Sequence, residues 1–384
     1  MQFDLSDEQQ MFRQAVREFA AKEIAPNARH IDETGEFPTE TFRKMGELGL
    51  MGIPFPEEYG GAGGDTVSAA VAIEEVARAC GSTALAYAAH MGLGSAPIFM
   101  FGTEEQKQRF LKPAAAGKYI AAFGLTEPHA GSDAGATRTT ARLEGNEWVL
   151  NGAKMWITNA PIAGHIIFTA VTDASKGKNG ISAIIVPGGT PGLSFGKHEP
   201  KMGLRGSVST AIMLEDVRVP RENLLGDPGR GFNQFLKVLD GGRIGIGAMA
   251  IGLAQAAFEA ASAYAKDRTA FGKPIGAFES ISNMIADMAT GIAAARLMIY
   301  QAAWLKDQGR PFSQQAAMAK LFASEVAEKT CRDAIQVFGG YGYSQEYPVE
   351  RLYRDQRLLT IGEGTSEILR VVIGRHILGG FVGN

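Results

Sequence analysis

Cysteine is nearly absent from this chain: Cys80 and Cys331 are the only two among 384 residues. Two thiols exclude a disulfide framework and suit a reducing compartment. No long run of one charge occurs, and the balance is a net −3 with a pI of about 6.1, so no basic face for nucleic acid is advertised. The six histidines are scattered, and no HExxH, P-loop or Cys/His cluster is present, which leaves no metal site to expect. The N-terminus, Met-Gln-Phe-Asp-Leu-Ser-Asp-Glu, lacks a basic segment leading into an apolar one, so neither a secretory signal nor a transit peptide is read there. Apolar runs are short as well. Ala84–Phe101 comes nearest to a membrane span but carries His90 and Pro97. The expectation is a cytoplasmic protein with no membrane partner, a processed organellar form being the other way to begin like this. Internal repeats and low-complexity tracts are also missing.

What is present has two textures. The composition, 45% hydrophobic and 21% charged, is that of a soluble globular chain, and the length suggests two or three domains. Residues 1–118 read as helices. Ser6 with Gln9 and Thr103 with Gln106 form capping boxes, and Phe12, Ala15, Val16 and Phe19 recur at helical spacing before Pro26 closes the segment. Phe42, Met45 and Leu48 give a short helix after Pro38, and Asp65–Cys80 and Ser82–Phe99 give two more. Residues 119–230 change to short apolar segments: Tyr119–Leu125, Thr137–Leu143, Glu147–Leu150, His165–Val171, Ile181–Val186, Leu193–Lys197 and Thr210–Val219. Gly145-Asn146 and Asn151-Gly152 read as turns between them. Strands of this length and spacing predict a small antiparallel barrel or sandwich. From 231 to 384 long Ala-rich helices return, about Phe232–Asp267, Ser280–Gln308 and Ser313–Phe338 with a shorter closing segment. They predict a helical bundle, some of whose faces meet another subunit.

Three stretches bear on chemistry. Thr360–Arg370 places Glu363 between Gly362 and Gly364, just before Thr365, a good N-cap. A carboxylate on such a turn can be held bare against a ligand, although the same letters also make an ordinary exposed loop. Phe123–Asp133 ends a strand at Leu125 and turns through Pro128 and Gly131, with the Thr126 and Ser132 hydroxyls beside free backbone N–H groups. Such a turn suits a planar heterocycle or a pyrophosphate. Lys154–Asn159 puts Trp156 and Thr158 at alternate strand positions, on one face. By contrast, Gly245-Ile-Gly-Ala-Met-Ala250 has the form of a dinucleotide fingerprint but lies in a helical run with no strand before it. Close helix packing is the better reading.

These stretches, followed by Leu239–Arg243, Asp267–Gly272, Gln336–Gly340 and Gly362–Glu367, resemble the acyl-CoA dehydrogenase family in order and spacing over essentially the whole chain. The resemblance implies an N-terminal all-α domain, a central antiparallel β-barrel and a C-terminal four-helix bundle. FAD would lie between barrel and bundle. It implies that Leu125, Thr126, Gly131 and Ser132 line the flavin, Ser132 also reaching CoA. Trp156 would cover the ring, with Ile157 beside it and Thr158 near flavin N5. Arg268, Phe271, Gln336, Gly339 and Gly340 would contact the FAD of a neighbouring subunit in a homotetramer. Thr365, Ser366 and Glu367 would complete the cofactor site, and Asp240 and Arg243 would hold the CoA chain. Glu363 would take the Cα proton of an acyl-CoA, with Gly362 and Gly364 at the thioester, while a hydride leaves Cβ for the flavin. Electrons would pass to an electron-transfer flavoprotein.

Two departures sharpen this expectation. Some relatives carry the base just before the arginine at Arg243, where this chain has Gly242, so Glu363 is the only candidate. Gly362 stands where straight-chain relatives often have a tyrosine, which widens the pocket and favours short or branched short acyl groups. Glu279 replaces a usual flavin-contacting glutamine and stays outside the site. The glutaryl branch is disfavoured, because Thr83–Tyr87 lacks its arginine. An acyl-CoA oxidase using O2 and a non-catalytic flavoprotein scaffold are the rival readings.

Overall fold

The computed structural model describes residues 4–379. Both expected capping boxes form, at Ser6/Gln9 and Thr103/Gln106. Pro26 does not close its segment, however. A π turn (Ala20–Ile24) and a 3-10 turn (Ala25–Asn27) carry the chain past it into a further helix, Ala28–Thr34. Proline is accepted there because its missing N–H falls in the first turn of a new helical piece. Helices Thr39–Glu47, Thr66–Ala79 and Gly81–Ala89 follow, the last running through a π turn (His90–Ser95) into Ala96–Phe101.

The middle of the chain is an eight-stranded sheet: β1 (Ile120–Gly124), β2 (Thr140–Glu144), β3 (Glu147–Thr158), β4 (Ala163–Val171), β5 (Ile181–Pro187), β6 (Leu193–Phe195), β7 (Ser209–Pro220) and β8 (Leu224–Leu225). The order is β6-β7-β3-β2-β4-β5-β8, with β1 on β4. The sheet is mixed rather than purely antiparallel, because β1 runs parallel to β4. Gly145-Asn146 makes the expected two-residue hairpin between β2 and β3, with Gly145 at φ 61°. Asn151-Gly152 is not a turn. β3 continues through it, and the irregularity is absorbed by a register shift at Gly152, which sits at φ 149°. A Cβ there would collide with Thr139, so the glycine serves a close strand approach inside a bulge.

Beyond the sheet come helices Gly231–Asp267, Glu279–Asp307, Ser313–Phe338 and Ser366–Leu378. Alanine dominates their buried faces, which lets backbones approach. Glycine inside a helix costs about 1 kcal/mol relative to alanine, and the Gly245–Ala250 run shows why it is tolerated here. A Cβ on Gly247 would run into Ile299 of the neighbouring helix, and just beyond the run one on Gly252 would run into the Glu74 carbonyl. The run packs helices and opens no nucleotide site. Buried Glu74 accepts hydrogen bonds from Arg13, Arg296 and Tyr300, tying N-terminal and C-terminal helices together. Among the described residues two helices, Gly81–Phe101 and Gly231–Asp267, are long and apolar enough by composition to cross a membrane, whereas the sequence reading finds no apolar stretch of that length. Two thirds of each apolar window is buried inside the fold, as core helices are.

Candidate active site

Three helices and one turn meet at Glu363. The turn follows a 3-10 segment, Arg357–Thr360, and ends where Thr365 Oγ1 accepts the Ile368 N–H at 3.2 Å, capping the closing helix. Glu363 takes φ 52° and Gly364 φ 98°. A left-handed glutamate is uncommon and mildly strained, and such strain gathers at functional sites. Of the six non-glycine residues with positive φ among those described, three are candidate site residues: Trp156, Phe271 and Glu363. Neither the Glu363 nor the Gly364 N–H has a hydrogen-bond partner among the described residues.

The glutamate as a residue is only partly buried, yet its Oε2 is sealed from solvent and has no hydrogen-bond partner. Burial pushes its pKa up to about 7, against the opposing pull of Lys320 and Arg243. Gly242 makes room for it: a Cβ at that position would collide with Glu363 Oε2. The glycine that removes the alternative base is therefore also the space that Glu363 fills. Across from it the π turn brings Gly92 close, a Cβ there lying 3.8 Å from Gly242 Cα. That turn is anchored by buried His90, whose Nδ1 accepts the Ala121 N–H of β1 at 3.0 Å. Arg243 is buried and donates to Asp240 at 2.6 Å, while its Nε stays unpartnered. A Cβ built on Gly362 would sit without a clash, in ordinary van der Waals contact with Leu358 at 3.6 Å.

A second cluster lies on the sheet. Leu125 and Thr126 are half-buried, and Gly131 and Ser132 are exposed. The Trp156 indole is 55% exposed. The strict alternation expected for Trp156 and Thr158 does not hold, because β3 shifts register between Lys154 and Ile157 and Trp156 adopts φ 61°. Both are nonetheless more exposed than Ile157, which points into the sheet core. Ile157 can therefore offer a ligand only its backbone. Beneath this edge lies an ion pair that sequence reasoning missed. Fully buried Lys154 donates to Glu127 Oε1 at 2.8 Å and to the Leu125 carbonyl at 3.1 Å. Glu127 also accepts from the Thr137 hydroxyl and the N–H groups of Arg138 and Thr139. Burial alone would raise Glu127, but Lys154 and these donors outweigh it and hold it at about 2.

The third group, Arg268, Phe271, Gln336, Gly339 and Gly340, forms an exposed face. Phe271 is 95% exposed, and a Cβ on Gly339 or Gly340 would meet nothing within 4 Å. A cleft of about 610 Å³ is lined by Tyr264, Arg268, Phe338, Gly339, Gly340 and Tyr341. Among the described residues, no hydrogen bond or ring contact joins this face to the Leu125–Thr158 cluster. Thr365 is engaged as a cap, Ser366 is buried with an unpartnered hydroxyl, and Glu367 is exposed. Lys320, which is fully buried, was also missed. It donates to the Gly364 carbonyl at 2.8 Å.

Comparison with known proteins identifies the family of the chain. The N-terminal, middle and C-terminal domain models of acyl-CoA dehydrogenases match residues 6–118, 122–217 and 229–378. A probable acyl-CoA dehydrogenase of Bacillus subtilis is 61% identical over 98% of this chain and all of its own length. A short-chain specific acyl-CoA dehydrogenase of Clostridium acetobutylicum is 49% identical over 98% of this chain and all of its own. The solved butyryl-CoA dehydrogenase of Megasphaera elsdenii superposes with a TM-score of 0.97 at 44% identity, covering 98% of this chain and 100% of that one. An acyl-CoA dehydrogenase of Bacillus anthracis, solved in complex with FAD, gives 0.93 at 37% identity over 98% and 67%. The chain belongs to the acyl-CoA dehydrogenase family. Its type is the short-chain one, an oxidoreductase acting on a CH–CH group.

Proposed function

We propose that this protein is an FAD-dependent acyl-CoA dehydrogenase in which Glu363 is the base. A thioester Cα–H is too weak an acid for a solvated carboxylate. A desolvated one with no hydrogen bond to satisfy it is more basic, and the Glu363 Oε2 environment supplies that. This bare carboxylate is the observation that carries the reading. The unpartnered N–H groups of Glu363 and Gly364 are available to the thioester oxygen, where negative charge develops as the proton leaves. Arg243, buried with a free Nε and tethered by Asp240, holds the CoA chain.

The residues present fit FAD. An exposed indole, half-buried Leu125 and Thr126, and open Gly131 and Ser132 offer a planar surface with polar edges, and Ser366 keeps a buried hydroxyl free. Bound there, the flavin supplies the hydride acceptor for Cβ, and the product is a trans-2-enoyl-CoA. The separate Arg268–Gly340 face, with Phe271 almost bare, suits contact with the FAD of a neighbouring subunit, and a homotetramer built as a dimer of dimers would bring the two together. In the architecture proposed, the sheet closes as a barrel and the C-terminal helices form a four-helix bundle, with the short helix Val349–Gln356 beside it. Its domains run 1–118, 119–230 and 231–384. Electrons would leave to an electron-transfer flavoprotein, in the cytoplasm. The absence of a side chain at Gly362 is the ground for short or branched short acyl groups.

The test is anaerobic titration of the yellow protein with butyryl-, isobutyryl-, 2-methylbutyryl-, isovaleryl-, octanoyl- and glutaryl-CoA. A short acyl-CoA should bleach the flavin, and Glu363→Gln should slow that bleaching by about 10³-fold or more. Octanoyl-CoA ranking first would refute the pocket reading. Rapid reoxidation by air would favour an oxidase, and a flavin bleached by none would favour a scaffold.

A further inference from the structure

Two lysines are fully buried. Lys154 pairs with a carboxylate, whereas Lys320 has none within ion-pair distance among the described residues. Its neighbours on the same helix, Ala316, Ala317, Ala319, Ala323 and Ala327, are buried too. An ammonium bonded to one neutral carbonyl is a costly occupant of an apolar stripe, where methionine or leucine would be more stable. Something other than stability keeps it there, and Glu363 lies next to it. We propose that Lys320 is a positioning residue for Glu363: its ammonium clamps the carbonyl that follows the base, fixing the left-handed Glu363–Gly364 turn, and holds a positive charge beneath the carboxylate. This inference rests on the reading of Glu363 as the base.

The geometry has two independent supports. The Lys320 Nζ–Gly364 carbonyl bond restrains a turn with positive φ at both residues, mildly strained at Glu363 and open only to glycine-like freedom at Gly364. Gly247, the second glycine of the run that resembles a nucleotide fingerprint, lets the Gly231–Asp267 helix press onto this point. A Cβ there would lie 3.6 Å from Lys320 Cα besides colliding with Ile299. Of the other charges around this point, Arg243, paired with Asp240, acts on Glu363 and on Lys320, Glu367 at the start of the closing helix acts on Lys320, and Lys306 lies beside Gly241. Burial lowers Lys320 to about 8 against the attraction of Glu363, so near pH 7 it is mostly charged. Removing that charge raises the Glu363 pKa and moves the acid limb of activity to higher pH.

Two variants separate clamp from charge: Lys320→Met removes both, and Lys320→Gln keeps a donor. Infrared titration of flavin-loaded protein labelled with 13C-glutamate, without substrate, isolates Glu363 as the band missing in Glu363→Gln. The midpoint should rise by about one pH unit in both variants, and the acid limb of kcat/KM should follow, a fall of ~10-fold at low pH. Above that limb Lys320→Gln should return to within ~3-fold of wild type, while Lys320→Met stays ~10-fold lower for want of the clamp. An unmoved midpoint in both variants, with only a lower melting temperature, would overturn the proposal. If Lys320→Met does not fold, Lys320→Gln decides the midpoint alone. Shifted midpoints in a protein whose flavin no acyl-CoA bleaches would support the charge role and count against the base chemistry instead.

Discussion

Glu127 and Glu363 are both glutamates held out of water next to a fully buried lysine, yet the structure treats them in opposite ways. Glu127 takes Lys154 directly, together with a hydroxyl and two backbone N–H groups. Glu363 takes nothing at Oε2, and its lysine is spent on the neighbouring carbonyl. One pKa is driven down to about 2 and the other up to about 7. Burial is common to both, so the difference lies in where the donors point. A carboxylate surrounded by donors is a strut under the Leu125–Thr126 edge. One deprived of them is poised to take a proton.

Breaking the strut should have the larger effect on the fold. Lys154→Met leaves a buried, charged and unpaired carboxylate, at a cost of about 3–5 kcal/mol by chemical denaturation. The double variant Glu127→Gln/Lys154→Met should recover much of that loss. The same change at Lys320 strands only one neutral carbonyl and also removes a costly buried ammonium, so it should leave stability within about 1 kcal/mol of wild type or raise it. Equal losses at the two lysines would erase the distinction drawn here.

The two carboxylates should also pull stability in opposite directions with pH. Glu127, held below its ordinary value, contributes stability that is full above about pH 4.5 and is lost as pH falls toward about 2. Glu363, held above it, binds its proton more tightly when folded. The fold therefore loses stability as pH rises from about 4.5 to about 7. Glu363→Gln does not titrate, so it should be more stable than wild type by roughly 1–3 kcal/mol at pH 8. The gain should vanish near pH 4. Denaturation curves at the two pH values check the sign, and a variant less stable than wild type at pH 8 would mean that the carboxylate is not deprived of partners.

How much of this was legible in the sequence follows from the range of the forces involved. Local signals read well: the capping boxes, the Gly145-Asn146 hairpin and the Ser313–Phe338 helix depend on neighbours in the chain. Asn151-Gly152 misled because the same glycine that permits a turn also permits a bulge, and only the partner strand decides between them. Pro26 misled because a helix can restart at a proline. Glu363 stood out through its flanking glycines, but Lys320 and Glu127 are set by contacts across the fold. Lys320 did leave a trace, a charge at helical spacing from Ala316, Ala323 and Ala327 on one alanine-rich face. Lys154 is harder to find, since a lysine in an exposed strand position looks the same. Ile157 was placed in the site as a neighbour of Trp156, and its side chain belongs to the sheet core, which leaves its backbone as the part that can face a ligand.

The smallest effect tests how the two turns are fastened. Glu127 is fixed by its own hydrogen bonds, whereas the Glu363 turn is fastened from outside, by Lys320 on one side and by the Thr365 cap on the other. Thr365→Ala removes the acceptor for the Ile368 N–H and should cost about 1 kcal/mol, with Thr365→Ser close to wild type. Because the hydroxyl faces the helix and not the carboxylate, the Glu363 titration midpoint should stay within a few tenths of a unit of wild type. Flavin retention under dialysis distinguishes the cap from a ligand contact. If Thr365→Ala loses flavin while Thr365→Ser keeps it, the hydroxyl serves both, and the turn that carries the base is fastened partly by the cofactor.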